Sequence, residues 1–369
     1  MKAFRAALAV VALTALVFPA PAGLGAQSRA GLPARLTDAE FWRLSQEFSE
    51  ADGYFPSDNL VSNEDTFQVV IPTLVSTVKP GGVYVGVGPD QNFTFIAAVR
   101  PAIAFIPDVR RGNLLMHLLY KSLMELSPDR AAFVSRLFAR PRPPGLSATT
   151  SVDALFDAFA TVSPTQELFD ETTAAIHARL AERGLVLGAV DLVGVGDLFR
   201  RFVAAGPQLT YSSSPAGRVR YPAFEDLQRA TDAAGVARAY LASEDHYRRV
   251  RTMQMNNLIV PVVGNLAGPK ALRAIGDWVR QRSARVTTFY ASNVEHYLFQ
   301  DRIWAAFADN LATLPADETS TVIRSCFNFC INASSTSRVV MLLDSLPALV
   351  RDHKAGLILG YGDVLARQR

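Results

Sequence analysis

Residues 83–108 hold, in immediate succession, an apolar run, a turn bracketed by glycines, a helix-compatible segment and a second apolar run. Val83-Tyr84-Val85-Gly86-Val87 has the composition of a strand buried on both faces. Gly88-Pro89-Asp90 turns the chain, and Pro89, which has no amide to donate, suits the start of a helix. Residues 91–99 read as that helix, ended by Arg100-Pro101, and residues 102–106 as a second buried strand that delivers Pro107-Asp108. Residues 113–126 follow as an amphipathic helix with Leu114, Leu118 and Leu119 among its apolar positions. Parallel strands need a crossover, and a helix of this length supplies one. The unit predicts an α/β fold: a Rossmann-like, mostly parallel sheet flanked by helices.

The same grammar resumes later. Residues 258–263 read as a strand, residues 264–268 as its exit loop and residues 269–282 as a helix opened by proline. Residues 286–290 form the next strand, leading to Ser292-Asn293-Val294-Glu295, and a helix is expected around residues 301–311. Residues 321–329 and 339–343 suit a closing antiparallel pair. Before the first strand, Thr37 caps a helix that places Phe41, Leu44 and Phe48 on one face. Residues 54–63 read as an ordered loop, and residues 64–78 as a second helix stopped by Lys79-Pro80-Gly81-Gly82. Arg140-Pro141-Arg142-Pro143-Pro144-Gly145 marks a linker, after which residues 146–205 read as a mainly helical insertion. Within it, residues 186–195 admit either helix or strand. Residues 209–211 suggest a short strand, residues 212–217 a polar loop, and residues 224–253 further helices. The chain thus divides into residues 1–26, 27–145, 146–205 and 206–369.

Residues 1–26 stand apart from the fold. Lys2 and Arg5 precede an apolar run that is too short to span a bilayer comfortably, and Pro19, Pro21 and Gly23 break it before the small residues Gly25 and Ala26. This is the three-part pattern of a secretory signal peptide, with an uncleaved N-terminal anchor as the alternative. It predicts export to a periplasmic or extracellular location. No later segment reads as a membrane span. Cleavage would lower the net charge from +3 to +1, so neither nucleic acid nor an anionic membrane is an expected partner. Hydrophobic residues make up 49% of the chain and charged residues 19%, which excludes disorder and supplies a sizeable core. The two cysteines, Cys326 and Cys330, could be oxidised in an exported protein if a helix or turn brings them together. On a straight strand they would lie roughly 13 Å apart, and buried free thiols are the favoured reading.

In open parallel sheets ligands bind beyond the carboxyl ends of the strands. Four such loops carry polar groups directly after an apolar strand: Gly86, Gly88, Asp90 and Gln91; then Asp108 and Arg110; then Asn265; then Ser292, Asn293 and Glu295. Glycines let a backbone approach a ligand closely, and the following helix start presents amides. Asp108 lies 20 residues beyond Gly88, where an acid can accept hydrogen bonds from ribose hydroxyls. The competing reading is a tight strand–helix turn with a surface aspartate. A full dinucleotide fingerprint would also place glycine at position 91, where Gln91 stands. Arg110-Arg111 could hold a carboxylate or phosphate, or simply open a helix at the surface. Glu295 could act as a base, and the adjoining His296 is the one histidine kept as a candidate acid or base. The five histidines show no metal-ligand spacing, and no metal is expected.

Several segments together resemble an uncharacterised bacterial family related in fold to S-adenosylmethionine-dependent methyltransferases. They are residues 55–64 (Phe-Pro-Ser-Asp-Asn-Leu-Val-Ser-Asn-Glu), 81–113, 260–268, 289–295 and 314–320. The resemblance implies a seven-stranded, methyltransferase-type sheet preceded by helices, with Asp58 to Glu64 folded over the ligand mouth. Asn59, Ser62, Asn63 and Glu64 would then share that mouth with Arg110, Asn265, Asn293 and Glu295. It also implies that Gly86 and Gly88, with Asp90 and Gln91 beside them, pass under the cofactor, and that Asp108 binds its ribose. Methyltransferases commonly carry an acid at the position of Tyr84 and often a glycine at that of Asp90, so both depart from the pattern. Three functions follow: a methyltransferase-like protein that uses S-adenosylmethionine or binds a related small-molecule or nucleoside-like ligand, a non-catalytic exported ligand-binding or interaction protein that keeps the fold without the cofactor, and a hydrolase using Glu295 with His296.

Overall fold

Six strands build one sheet in the computed structural model, which describes residues 31–211, 221–327, 330 and 338–367. They are β1 (Val83–Gly86), β2 (Ile103–Asp108), β3 (Ile259–Val263), β4 (Val286–Ser292), β5 (Thr321–Phe327) and β6 (Val339–Ser345), in the order β3-β2-β1-β4-β5-β6. The first five run parallel and β6 pairs antiparallel with β5. This is the Rossmann-like sheet expected from the sequence, with the closing antiparallel pair in place. The resemblance implied seven strands; six occur among the described residues. The strands β1, β2 and β3 are buried at every residue, which is why they read as continuous apolar runs rather than alternating ones.

The helices before and within the first crossover position the sheet. Helix α1 (Asp38–Phe48) opens with a reciprocal capping box between Thr37 and Glu40 and buries Phe41, Leu44 and Phe48. Its Ser45 hydroxyl donates to the Pro261 carbonyl of β3 at 2.7 Å. Helix α2 (Ile71–Thr77) is shorter than residues 64–78, because Pro72 sits in its first turn and residues 65–70 form turns instead. Helix α3 (Gln91–Val99) has the bounds expected and is buried almost throughout. Helix α4 (Arg111–Leu126) is followed by α5 (Arg130–Leu137) and by the insertion helices α6 (Val152–Ala160), α7 (Gln166–Glu182) and α8 (Ala189–Ala205). Residues 186–195 are therefore loop and helix, not strand. Helices α7 and α8 pack on α4, and a buried charge cluster joins them to the rest. Glu125 takes Lys121 at 2.8 Å and Arg183 at 2.9 Å, and Arg183 also holds Asp38 of α1 at 2.8 Å. The insertion contributes Phe156, Phe199 and Phe202 to the same hydrophobic core as the sheet.

The second half completes the layers with α9 (Phe224–Arg229), α10 (Glu244–Met255), α11 (Ala271–Gln281), α12 (Val294–Gln300), α13 (Trp304–Leu311), α14 (Leu346–Lys354) and α15 (Tyr361–Leu365). Thr210 forms an isolated bridge to Ala223, which is all that becomes of the short strand expected at 209–211; the polar loop expected at 212–217 lies outside the described residues. Cys326 and Cys330 are disulfide-bonded, with Cα atoms 5.9 Å apart. This corrects the free-thiol expectation. The strand ends at Phe327, so the two residues are not spaced along an extended chain.

Arg324 of β5 anchors the sheet's closing edge. It is 1% exposed, donates from Nε to Glu295 at 2.6 Å and from Nη1 to Asp344 at 3.1 Å, and Asp344 also takes Arg367 at 3.0 Å. One guanidinium thus joins β5, β6 and α12. Removing one member of such a buried set leaves an uncompensated charge. Glu295→Ala should lower unfolding free energy by about 3–5 kcal/mol, read as an earlier midpoint in urea at unchanged m-value. A loss below about 1 kcal/mol, the scale of an exposed pair, would show that the pair is not structural.

Candidate functional site

The strand order reverses between β1 and β4, since β1 leads outward to β2 on one side while β4 leads to β5 on the other. A ligand crevice belongs at the carboxyl ends of such a pair. A cleft lies there, about 950 Å³ of empty space when the open solvent at its mouth is included. All four strand-end loops reach it: Gly88 and Gln91, Asp108 and Arg110, Asn265, and Ser292 with Asn293. The loop that follows α1 closes over it, bringing Asn59, Ser62 and Asn63 to the same lining. Tyr54, Phe55, Tyr211 and Tyr297 supply an aromatic side, with Phe55 edge-on to Tyr297 at 5.1 Å between ring centres.

Five residues expected at the site line no part of the cleft: Gly86, Asp90, Glu64, Glu295 and His296. Glu295 turns inward to Arg324, which removes it as a base. His296 packs against Tyr297 and Tyr361, with Nε2 2.9 Å from Gln300 Nε2. A hydrolytic pair of Glu295 with His296 is therefore not assembled. Gly86 is needed for a different reason than cofactor approach. A Cβ there would overlap Asn92 Oδ1 and the Tyr84 ring.

That overlap exposes how the glycine turn is built. Asn92 Nδ2 donates to the carbonyls of Val87, Gly88 and Pro89 at 2.8, 3.2 and 2.8 Å, and Asn92 Oδ1 accepts from the Tyr84 hydroxyl at 2.8 Å. His117 Nε2 also lies 2.9 Å from the Gly88 carbonyl. Gly88 itself has φ +82°, a conformation that glycine adopts without strain. Tyr84 serves as the prop for this loop. Neither Asn92 nor His117 was legible as a site residue. Each sits among apolar neighbours at a helical position, with nothing in the local sequence to mark a loop-binding role.

Asp108 stands at the end of β2 as expected and lines the cleft, but its carboxylate already carries Arg110. Arg110 donates to it from the backbone at 2.9 Å and from Nε and Nη2 at 3.2 and 3.3 Å. The same guanidinium donates to the carbonyls of Ser57 and Asp58, tying the covering loop to the sheet. Arg111 pairs with Asp191 of the insertion at 2.6 Å instead of facing the cleft. Asn265 lines the cleft while its Oδ1 accepts the Ala267 amide at 2.9 Å. Its own amide, like those of Lys270 and Ala271, is held by Glu50, a residue the sequence did not single out.

Behind the cleft wall, Glu64 is 1% exposed and accepts three hydroxyls: Tyr290 at 2.6 Å, Ser325 at 2.6 Å and Ser292. Burial raises its carboxyl above the ordinary range against the pull of those donors. Tyr290 in turn accepts from Gln91 Nε2 at 2.8 Å, which fixes that cleft residue. Two non-glycine residues on the lining, Asn59 and Ser292, hold left-handed φ of 45° and 52°. Such strain persists only where surrounding contacts enforce it.

These features define a Rossmann-like α/β protein with a preformed cleft at its topological switch point. The chain belongs to the family described as a domain of unknown function (DUF7790), whose profile matches residues 59–182 and 221–328. The matched residues include all four strand-end loops and the covering loop from Asn59 onward. No curated protein matches the chain.

Asp90 lies on the far side of the turn, where burial pushes its carboxyl up to about 7. Tyr240 faces it without closing a well-formed hydrogen bond, and Gln228 Nε2 reaches it at 3.4 Å. Burial pushes neighbouring His117 down to about 4. The two act with opposite sign. Asp90 costs stability as pH rises from the ordinary carboxylate range toward 7, and His117 costs stability as pH falls from about 6.5 toward 4. Asp90→Asn removes only the first. Relative to the unaltered chain, it should gain roughly 2–3 kcal/mol of unfolding free energy between pH 5 and pH 8. Urea titrations at both values test this; an offset that does not change with pH would show that Asp90 ionises normally in the fold.

Proposed function

We propose that this protein binds a small, nucleoside-like molecule in the switch-point cleft, and that it does so outside the cytoplasm. The observation that carries the reading is convergence: polar residues from four strand ends and one covering loop meet in one cleft. The lining is rich in side-chain amides and aromatic rings. Its charged groups among the described residues are Asp108, Arg110 and Asp301. Asp108 and Arg110 neutralise each other, and Asp301 is exposed at the rim. Rings that stack and amides that donate and accept suit an uncharged, polar, ring-bearing ligand.

S-adenosylmethionine, the cofactor the resemblance implies, does not fit this lining as it stands. Its sulfonium, ammonium and carboxylate would enter a lining where Asp108 and Arg110 already pair with each other and the one other charged side chain among the described residues is Asp301. A binding protein that keeps the fold without that cofactor is the better supported reading. Export is supported by the N-terminal pattern and by the Cys326–Cys330 disulfide, a bond that persists in oxidising compartments.

Thermal shift with adenosine, S-adenosylmethionine, S-adenosylhomocysteine and NAD at millimolar concentration tests the ligand class. A ligand that binds only the folded state raises Tm. Adenosine should do so, and the joint substitution of Asn265→Ala and Asn293→Ala should abolish the rise. Absence of a shift with all four compounds would refute a nucleoside-like ligand. A shift confined to S-adenosylmethionine and S-adenosylhomocysteine, lost in Asp108→Ala, would restore the cofactor reading. Cell fractionation tests export: the full-length chain in the cytosol would overturn it.

A further inference from the structure

Tyr54 is the one exposed aromatic side chain among the described residues, at 85%. Single exposed apolar groups are ordinary on a protein surface, so exposure alone assigns nothing. Three further facts set Tyr54 apart. It lines the switch-point cleft, and its exposure places it at the mouth. No hydrogen bond or ring contact engages its side chain among the described residues, whereas the other rings of that wall are taken. Phe55 meets Tyr297 edge-on at 5.1 Å, and Tyr211 lies 5.3 Å from Tyr221 between ring centres.

The third fact is that its backbone is pinned on both sides. The Gly53 amide donates to the Val109 carbonyl at 2.8 Å, and a Cβ at position 53 would overlap Val109, so the chain lies close against the exit of β2. A few residues on, Arg110 holds the Ser57 and Asp58 carbonyls. The ring is therefore presented from a fixed backbone. Tyrosine offers a large flat face and loses little conformational freedom when a ligand covers it. Its exposed neighbours in the chain, Ala51, Asp52, Pro56 and Asp58, do not make the apolar patch that a protein partner would need. A second hollow, walled in part by Met116 of α4 and Leu198 of α8, also borders Tyr54. The ring thus stands between two open spaces, with room to turn aside as a ligand enters.

We propose that Tyr54 is a specificity-determining residue of the cleft: its ring stacks on a planar aromatic ring of the ligand, the base of a nucleoside, and covers the side that faces solvent. The inference rests on the proposed ligand reading and adds which part of the ligand is read, and by what. Stacking favours a flat ring over a saturated one. The base is recognised by Tyr54, and the sugar is left to the side-chain amides of the lining.

Adenosine is titrated by calorimetry into the full chain and into Tyr54→Ala, Tyr54→Leu and Tyr54→Phe. The ligand-free variants should keep the urea midpoint of the unaltered chain, because the residue is exposed and unpartnered. A change in binding then reads the site and not the fold. Tyr54→Ala and Tyr54→Leu should bind adenosine about 10-fold more weakly, and Tyr54→Phe within about twofold of the unaltered chain. In Tyr54→Trp, bound adenosine should quench the indole emission added at that position. Affinity in Tyr54→Ala within about twofold of the unaltered chain would overturn the inference and leave ligand binding in the cleft standing. Tyr54→Leu matching Tyr54→Phe would also overturn it, since bulk and not a ring would then be read. No binding of adenosine by the unaltered chain would remove the ligand reading itself, and this inference with it.

Discussion

The buried carboxylate of Glu64 sets the geometry of the cleft. Removing an ion from water costs several kcal/mol even after relaxation, and Glu64 has no cation among its hydrogen-bond partners. Three hydroxyl donors offset that cost at about 1.5–3 kcal/mol each. Burial still raises the carboxyl above its ordinary range, so the donors offset that cost only in part and the arrangement contributes little net stability. What it contributes is position. Glu64 ends the covering loop, Tyr290 and Ser292 lie on β4, and Ser325 lies on β5; satisfying one carboxylate forces all three elements into a single register. Gln91 joins through Tyr290, so the start of α3 is fixed by the same group.

The opposite wall is fixed by an amide. Asn92 holds three consecutive carbonyls of the turn, and His117 reaches one of them from α4. A neutral histidine suits this place, because burial favours the uncharged ring. The ring nitrogen facing Gly88 must then carry the proton, since a carbonyl only accepts. Tyr84 props the amide from β1, and Gly86 leaves the room that both need. Tyr84 thus serves a rigid turn. Rigidity here fits a preformed site better than one assembled on binding.

The parts of this architecture that were readable in the sequence are those governed by local pattern. Strands buried on both faces show as apolar runs, and Gly88-Pro89 marks the turn, so β1, α3, β2 and β3 lay within a residue or two of their expected bounds. The cleft loops were readable because strand ends in a parallel sheet share one edge, which follows from topology and not from any motif. What escaped was set by contacts across the chain. Glu64 meets Tyr290 and Ser325 at sequence separations of 226 and 261 residues, and no local signal says which way a glutamate in a loop will turn. Glu295 misled for the same reason: its place after β4 suggested the cleft, but the first turn of α12 carries it toward Arg324. Asp90 likewise follows the glycine turn yet faces Tyr240 from within the core.

The Asp108–Arg110 pair links this reasoning to ligand choice. An acid at the end of the second strand offers ribose only the acceptor sites that its other donors leave. Here the residue two positions on folds back, neutralises it, and uses its remaining donors on the covering loop. The pair is largely shielded, with side-chain exposures of 12% and 10%, so solvent screens it less than a surface bridge. A ligand that displaced Arg110 would lose the loop anchor along with the ion pair, and would have to supply hydrogen bonds worth both. A ligand that left the pair intact would meet a nearly neutral lining of amides and rings. The second course costs less free energy, and it is the one the proposed reading takes: an uncharged polar ligand set against Asn63, Asn265 and Asn293.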